Sequence, residues 1–367
     1  MKRISLTLAA LLVFTPGVSE AHIKWFCTYD TTVPPLPISF VITPTFLAVA
    51  LLFCTLMFTA YIVDRAVDGS RWATRLDNAI FRSDACTSGI RAAGSGEATM
   101  PLVQANNIDI YYEVQGEGEP LVLIPYLAAD QACYAFQVAD YAKQFTCYTV
   151  DLRGAGQSAK PEGVYTTELF ADDIAAFMRT AGISSAHVSG LSLGAATGMW
   201  LAGKYPSLVK SLSLHSAWPA TDPYLQVVVE TWRTMAKELG SVADMIIQGI
   251  FPWCFTPELY AAKPEYIDSL ADFVRSRPMP PVDAFMRQSG AVLNHDAAGV
   301  LGGIQAPTQI TFGRHDAAVS TRFAGPLTAA IKDSELLVFE DCAHAPIYEN
   351  VEEFNAKTLA FLTSHSC

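Results

Sequence analysis

Gly190-Leu191-Ser192-Leu193-Gly194 is a G-x-S-x-G pentapeptide that joins two contrasting stretches of the sequence. Residues 186–189 before it form an apolar, β-type run, and residues 195–200 after it begin with the small residues of a closely packed helix. G-x-S-x-G between a strand and a helix predicts a nucleophile elbow, a turn so tight that glycine is needed on either side of the serine. Such a turn would hold the Ser192 hydroxyl at the end of a sheet and direct the Leu193 N–H toward a reacting oxygen.

An acid and a histidine follow later in the chain, each directly after a predicted strand. The β-rich run 308–312 leads into Asp316, and the run 335–339 leads into His344. A serine hydroxyl is a poor nucleophile until an imidazole removes its proton, and a carboxylate orients that imidazole and stabilises its cation. The sequence therefore predicts Ser192, Asp316 and His344 as a catalytic triad.

A third motif makes a family resemblance clear. The predicted strand 145–150 is followed by Asp151-Leu152-Arg153-Gly154-Ala155-Gly156-Gln157-Ser158, a D-x-R-G-x-G-x-S stretch. With the elbow and the order serine, aspartate, histidine, the chain from about residue 101 onward resembles the α/β-hydrolase superfamily. The resemblance implies a mostly parallel eight-stranded sheet flanked by helices, with a helical cap, and loop-bracing roles for Asp151 and Arg153. Within the superfamily the chain resembles small bacterial enol-lactonases, aminoacrylate hydrolases and cofactor-free haloperoxidases.

The same resemblance indicates the oxyanion hole, which needs two N–H donors. Leu193 is the first, from the elbow. The second belongs to the loop after the predicted strand 121–124, where the family commonly has His-Gly and then an apolar residue; here Pro125-Tyr126-Leu127 makes Leu127 the donor by alignment. Tyr126 in place of glycine narrows the pocket, reaches substrate or simply fills space. Glu349 matches an acidic position that in the family helps to anchor the following helix.

Substrate selection is predicted to lie in a helical cap at about residues 217–306. Its pattern indicates helices at 226–239, 242–249, 257–262 and 266–277. The side chains predicted to line an apolar pocket over the elbow are Tyr126, Trp218, Trp232, Phe251 and Trp253. A cap this compact favours a small or medium acyl, lactone or carbamate-like substrate over a polymer.

Composition excludes several other functions. The 367 residues carry 36 acidic and 24 basic side chains, a formal net charge of −12, which argues against nucleic acid as a partner. The eight cysteines show no C-x-x-C and no paired spacing, so reduced thiols are expected. No cluster of metal ligands is visible, and no cofactor or metal is predicted. The competing histidines, none of which follows the last strand, are predicted to be structural: His187, His215, His295 and His315.

The first 99 residues carry the pattern of a membrane segment. The predicted divisions are a signal-like apolar segment (1–21), a membrane segment with its basic flank (22–82), a linker (83–99) and the hydrolase domain (100–367). A transmembrane helix is predicted at about 45–63, and the arginines that follow it indicate that the catalytic domain is cytoplasmic and anchored to the inner membrane. If translation starts at Met100, the enzyme is cytoplasmic without this anchor. Residues 21–26 resemble the start of DoxX-like integral membrane proteins.

Together these features predict a serine hydrolase of the carboxylic ester hydrolase type. It would cleave a small-to-medium ester, lactone or related acyl bond through an acyl-enzyme. C–C bond hydrolysis and perhydrolase activity use the same residues and stay open, as does a non-catalytic binding protein or a membrane-anchored interaction module on this fold. Haloalkane dehalogenase and epoxide hydrolase chemistry is disfavoured, because both need a carboxylate where this chain has Ser192.

Overall fold

The computed structural model describes residues 102–366. The predicted signal-like segment, membrane segment and linker, with the transmembrane helix at 45–63, lie outside these residues. Within 102–366, no helix is both long and apolar enough to cross a bilayer.

Eight strands form one sheet, as the resemblance implied. They are β1 (Leu102–Ala105), β2 (Ile108–Gln115), β3 (Glu119–Ile124), β4 (Phe145–Val150), β5 (Ala186–Leu191), β6 (Val209–His215), β7 (Thr308–Gly313) and β8 (Ser334–Phe339). Their spatial order is β1-β2-β4-β3-β5-β6-β7-β8. The pairs β1–β2 and β2–β4 are antiparallel and every other pair is parallel. All residues of β5 and β7 are buried, as expected of central parallel strands covered on both faces.

Helices cover both faces of this sheet. The helices outside the cap are α1 (Ala135–Tyr141), α2 (Thr167–Thr180), α3 (Leu193–Lys204) and, after the cap, α11 (Ala324–Ala330), α12 (Pro346–Glu349) and α13 (Val351–Ser364). Alternate residues of β3 face opposite sides, so Val122 packs in the core that contains α2 and α3, whereas Leu121 packs with α1 and α13. The sheet is therefore buried on each side, and its strand ends are left to carry polar side chains.

The chain between β6 and β7 is helical, as predicted, but its helices differ in detail. They are α4 (Pro223–Leu239), α5 (Val242–Met245), a π-helical turn (Ile246–Ile250), α6 (Phe251–Cys254), α7 (Pro257–Ala262), α8 (Pro264–Ser276), α9 (Val282–Leu293) and α10 (Ala298–Leu301). Two predicted helices begin earlier than expected because proline occupies their first turn, where its missing N–H costs nothing. α9 was not predicted. It buries Gln288, whose partners come from elsewhere in the fold, and Ser289, which donates to the Phe285 carbonyl of its own helix and accepts from Arg233.

Candidate active site

Ser192 occupies a strained turn between β5 and α3. Its backbone has φ 55° and ψ −114°, a conformation that non-glycine residues rarely adopt. A Cβ on Gly190 would overlap the backbone of Gly194, and a Cβ on Gly194 would overlap the carbonyl oxygen of Ile124. Both glycines of the motif are thus required by close backbone approach, and the turn holds Ser192 at the carboxyl end of β5.

Asp316 and His344 are brought together from the loops after β7 and β8. His344 Nδ1 lies 2.7 Å from one carboxylate oxygen of Asp316. The other oxygen accepts hydrogen bonds from the N–H groups of Ala318 and Val319, each at 2.9 Å. Burial alone would raise the pKa of Asp316, but the charge and hydrogen bond of His344 and these backbone donors hold it below its usual value. Asp316 is therefore a carboxylate that fixes the His344 ring and leaves Nε2 available.

Ser192 and His344 line the same cavity. Within residues 102–366 no hydrogen bond joins the Ser192 hydroxyl to His344. Hydrogen bonds between catalytic side chains often form fully only when substrate is bound. The His344 loop is itself tied to the sheet, because the Ser216 hydroxyl donates to the His344 carbonyl oxygen at 2.9 Å. The three side chains of the predicted triad thus gather at one edge of the sheet.

The predicted oxyanion donors lie on two turns beside Ser192. Residues 126–129 form a turn closed by the Ala129 N–H on the Tyr126 carbonyl at 3.2 Å, with Ala128 at φ 62°. Leu127 occupies the second position of this turn, and Leu193 is the first residue of α3. Within the described chain neither N–H has a protein partner, so both are available to donate.

Gln288 holds the turn of residues 126–129 in place. This side chain is fully buried; its oxygen accepts the Ala128 N–H at 3.1 Å, and its amide donates to the Arg153 carbonyl at 2.8 Å. It comes from α9, so a cap helix orients the loop that carries Leu127. No sequence signal identified Gln288, because its function depends on two backbone groups more than 130 residues away.

The cavity over Ser192 is lined mainly by apolar side chains of the cap. Tyr126, Trp218, Trp232 and Phe251 line it, as predicted. The cavity volume open to the centre of a water molecule is about 90 Å³. This is several times the roughly 10–15 Å³ that one water needs, so a small organic molecule fits.

Trp253 does not belong to the lining, and its prediction was wrong. It lies on α6, where Phe251 and Cys254 face the cavity. Residues three apart share a helix face and residues two apart do not, so Trp253 turns away and packs half-buried against the core.

Tyr126 is anchored by a second tyrosine that the sequence did not single out. The hydroxyl of Tyr348 donates to the Cys133 carbonyl at 2.7 Å and lies 2.9 Å from the Tyr126 hydroxyl. Because the single proton of Tyr348 is used on a carbonyl, Tyr126 donates to Tyr348. The ring of Tyr126 is thereby fixed at the cavity wall, in place of the glycine common in the family.

Glu349 connects the His344 loop to the cap. Its carboxylate accepts one hydrogen bond from the N–H of Ala343 and another from the N–H of Thr256. The Ala345 N–H adds a third link, to the Cys254 carbonyl at 3.2 Å. The resemblance implied that Glu349 anchors the following helix; the structure shows instead a bridge between the residues beside His344 and the start of α7.

A charged pair also lines the cavity and was not predicted. Arg277, at the end of α8, bonds Asp130, in the loop after β3, with Arg277 Nη2 2.6 Å from Asp130 Oδ2. The two residues are 147 positions apart, and neither belongs to a recognisable motif.

Asp151 and Arg153 brace loops, the role that the resemblance implied. Asp151 accepts the N–H groups of Gln131 and Gln157 at 2.6 and 2.7 Å, and Arg153 forms a two-pronged ion pair with buried Asp173. Burial raises the pKa of Asp151 to about 6 despite its two backbone donors.

The competing histidines lie away from the cavity. His187, His215 and His295 are buried with hydrogen bonds on both ring nitrogens, and His315 is exposed. Burial lowers the pKa of His215 to about 3 and that of His295 to about 4, so both stay neutral at neutral pH.

The thiols and potential metal ligands of the described region are also accounted for. Cys133, Cys147, Cys254 and Cys342 are all free thiols in the structure, and Cys254 is the one of these four that is not fully buried. Among residues 102–366, no group of three His, Cys, Asp or Glu side chains could hold a metal ion.

Comparison with known proteins agrees with this fold. A model of the alpha/beta hydrolase fold family matches residues 119–351. The chain belongs to the α/β-hydrolase family. It is 25% identical over 265 residues to RutD of Azorhizobium caulinodans, named provisionally as a carbamate hydrolase, and the match covers 71% of this chain and 98% of RutD.

Solved structures show the same fold. The enol-lactonase of Burkholderia xenovorans is 25% identical with a TM-score of 0.64, covering 72% of this chain and all of the lactonase. A thermophilic esterase of Thermogutta terrifontis is 21% identical with a TM-score of 0.65, covering 72% and 98% of the two chains. The family match, RutD and the enol-lactonase support a hydrolytic function for this α/β hydrolase, and the esterase shows the same fold.

Proposed function

We propose that this protein is a serine hydrolase that cleaves a small ester, lactone or carbamate-like acyl bond through an acyl-enzyme. The observation that carries the proposal is that His344, held by Asp316 at 2.7 Å, lines the same cavity as Ser192 on its strained turn. With Nδ1 bonded to Asp316, His344 presents Nε2 as the base for a serine proton.

The reaction then proceeds in two halves. The Ser192 oxygen attacks the substrate carbonyl carbon while His344 takes the hydroxyl proton, and the carbonyl oxygen becomes an anion between the N–H groups of Leu127 and Leu193. Collapse of this intermediate breaks the acyl bond as His344 returns its proton to the leaving group. Water, deprotonated by His344, attacks the acyl-enzyme and releases the acid and Ser192.

The substrate class follows from the cavity and the relatives. The lining contributed by Trp218, Trp232 and Phe251 favours an apolar acyl or leaving group of modest size. The names of the enol-lactonase and of RutD point to lactones and carbamates, and we therefore place this protein's substrate among small acyl compounds of these kinds.

A labelling experiment tests the proposal. A fluorophosphonate should modify Ser192 in the folded protein, and Ser192→Ala should abolish both labelling and hydrolysis of short para-nitrophenyl esters. His344→Ala should lower kcat by about three orders of magnitude or more, because triad members act as a unit.

Ser276→Ala is the matched control, since this hydroxyl bonds only the Phe273 carbonyl on the exposed face of α8. It should label and hydrolyse like the wild type. Retained esterase activity in folded Ser192→Ala protein would refute the proposed role of Ser192.

For the first 99 residues we propose, from the sequence alone, that 45–63 anchors the hydrolase domain to the inner membrane with the catalytic domain in the cytoplasm. Fractionation of cells expressing the full chain or residues 100–367 tests this. The full chain should sediment with membranes and resist carbonate extraction, and the shorter chain should not. Full-length protein in the supernatant would contradict the anchor.

A further inference from the structure

The cavity offers substrate very few polar groups besides Ser192 and His344. The two tryptophan N–H groups of the lining are already used, that of Trp218 on Thr221 at 2.8 Å and that of Trp232 on the Gly249 carbonyl at 3.1 Å. The Tyr126 hydroxyl donates to the Tyr348 hydroxyl, and the Tyr348 hydroxyl donates to the Cys133 carbonyl, as described above. Thiols are weak donors, so the remaining strong donor on the wall is Arg277.

Arg277 is held rigidly with part of its guanidinium unused. Nε donates to Asp130 Oδ2 at 2.8 Å, and Nη2 lies 2.6 Å from the same oxygen in an ion pair. The guanidinium carbon lies 5.7 Å from the centre of the Phe273 ring. Asp130 is itself fixed, because its other oxygen accepts the Ala132 N–H at 3.2 Å. Nη1 has no acceptor in the described chain. A donor positioned in advance loses little entropy when it binds a ligand.

The charge around Arg277 selects between possible ligands. Its positive charge is matched by Asp130, which is 4% exposed. Arg277 also lines a second, polar cleft together with Glu113, Gln131 and Thr149. A ligand carboxylate here would be repelled by the carboxylates of Asp130 and Glu113, because the charge of Arg277 is already matched by Asp130. A neutral carbonyl would accept a charge-assisted hydrogen bond from Arg277 without this repulsion.

We propose that Arg277 forms a specificity subsite that binds a second, neutral carbonyl group of the substrate, distant from the bond that Ser192 attacks. The inference rests on the proposed hydrolase function and narrows its substrate class. The substrate has an apolar segment that fills the cap cavity and a keto, amide or ester oxygen that reaches Arg277, where the polar cleft begins.

Three esters of equal chain length test this subsite: para-nitrophenyl hexanoate, the same ester with a ketone at its penultimate carbon, and the para-nitrophenyl monoester of adipic acid. The wild type should hydrolyse the keto ester with a kcat/KM about tenfold above that of the plain ester, mainly through a lower KM. The adipate monoester, which ends in a carboxylate, should gain nothing over the plain ester.

Removing the guanidinium should remove the preference. In Arg277→Met the ratio of the keto to the plain ester should fall to about one. This change leaves the buried Asp130 carboxylate without its ion-pair partner. The double variant Asp130→Asn/Arg277→Met therefore provides the same test with no buried charge. Its asparagine oxygen can still accept the Ala132 N–H. Arg275→Met is the control, since Arg275 lies on α8 in an exposed pair with Asp272 and should keep the ratio.

Each outcome decides the matter. A wild-type ratio near one, or a ratio that survives in both Arg277 variants, overturns the subsite. A preference for the adipate monoester that depends on Arg277 also overturns it, because it shows an anion site. If Ser192→Ala hydrolyses all three esters as the wild type does, the proposed function has failed, whatever the ratios; if only the ratios fail, the hydrolase function stands.

Discussion

Glu349 should support both the stability of the fold and the rate of the reaction, because its carboxylate joins the backbone beside His344 to the cap. Glu349→Ala removes both acceptors and leaves the N–H groups of Ala343 and Thr256 without partners. At about 1.5–3 kcal/mol for each hydrogen bond to a charged group, the expected loss of unfolding free energy is about 3–6 kcal/mol.

Glu349→Gln should lower the free energy of unfolding by less than Glu349→Ala does. It keeps one acceptor and turns an NH₂ group toward the other backbone N–H, so one bond is lost and the other becomes a neutral hydrogen bond. Burial raises the pKa of Glu349 despite its two donors, which means that desolvation of the charge offsets part of what the bonds contribute. The neutral amide avoids that desolvation, and we expect a loss of about 1–2 kcal/mol.

The assay combines urea unfolding with steady-state kinetics on a short para-nitrophenyl ester. If the bridge positions the His344 loop, Glu349→Gln should lower kcat about tenfold while KM changes little, because a misplaced base affects the chemical step.

Glu353→Gln is the control: it lies four residues further on and forms a half-exposed pair with Lys357. A loss below about 0.5 kcal/mol in Glu349→Ala would refute the energetic argument, because that is the size of ordinary surface substitutions. Reduced stability with an unchanged kcat would refute the positioning of His344 and leave Glu349 a structural residue.

Three further predictions follow from single contacts. Gly194→Ala should cost about 3 kcal/mol or more, because the new Cβ overlaps the Ile124 carbonyl oxygen, while Gly325→Ala, with open space around it, should be neutral or stabilising in thermal unfolding. Gln288→Leu should lower kcat on every ester tested by freeing the oxyanion turn, and equal kcat in a folded variant would contradict that role. Buried His215 has a pKa of about 3, against roughly 6.5 in the unfolded chain. Between these values only the unfolded chain takes up the proton, so the free energy of unfolding should fall by several kcal/mol as pH drops from 6.5 toward 3. His215→Gln should reduce this pH dependence in urea unfolding measured across pH.

The sequence predicted the features that depend on local chain geometry. The glycines around Ser192 are part of a recognisable motif, and Asp316 and His344 each follow a run of residues typical of a β-strand. The eight-stranded sheet came from the same patterns and the resemblance they support. The prediction that Trp253 lines the pocket was wrong because the sequence shows that an aromatic residue lies in the cap but not which face of a four-residue helix it occupies.

The features that the sequence did not reveal are contacts between distant and ordinary residues. Arg277 and Asp130 carry no motif, and only the fold places the end of α8 against the loop after β3. Gln288 sits in an unpredicted helix, and its two partners are backbone groups of residues far away in the sequence. Recognition of such residues requires tertiary structure, because their partners lie more than 100 positions away.

These long-range contacts have a common consequence for the enzyme. Gln288 ties a cap helix to the turn that carries Leu127. Glu349 ties the start of α7 to the His344 loop, and Arg277 ties the end of α8 to Asp130, just beyond the turn of residues 126–129. The cap therefore contributes the pocket and also supports the two loops on which the proposed chemistry depends. A packed structure transmits small displacements, so substitutions that repack the cap should change kcat for all substrates as well as the preference among them.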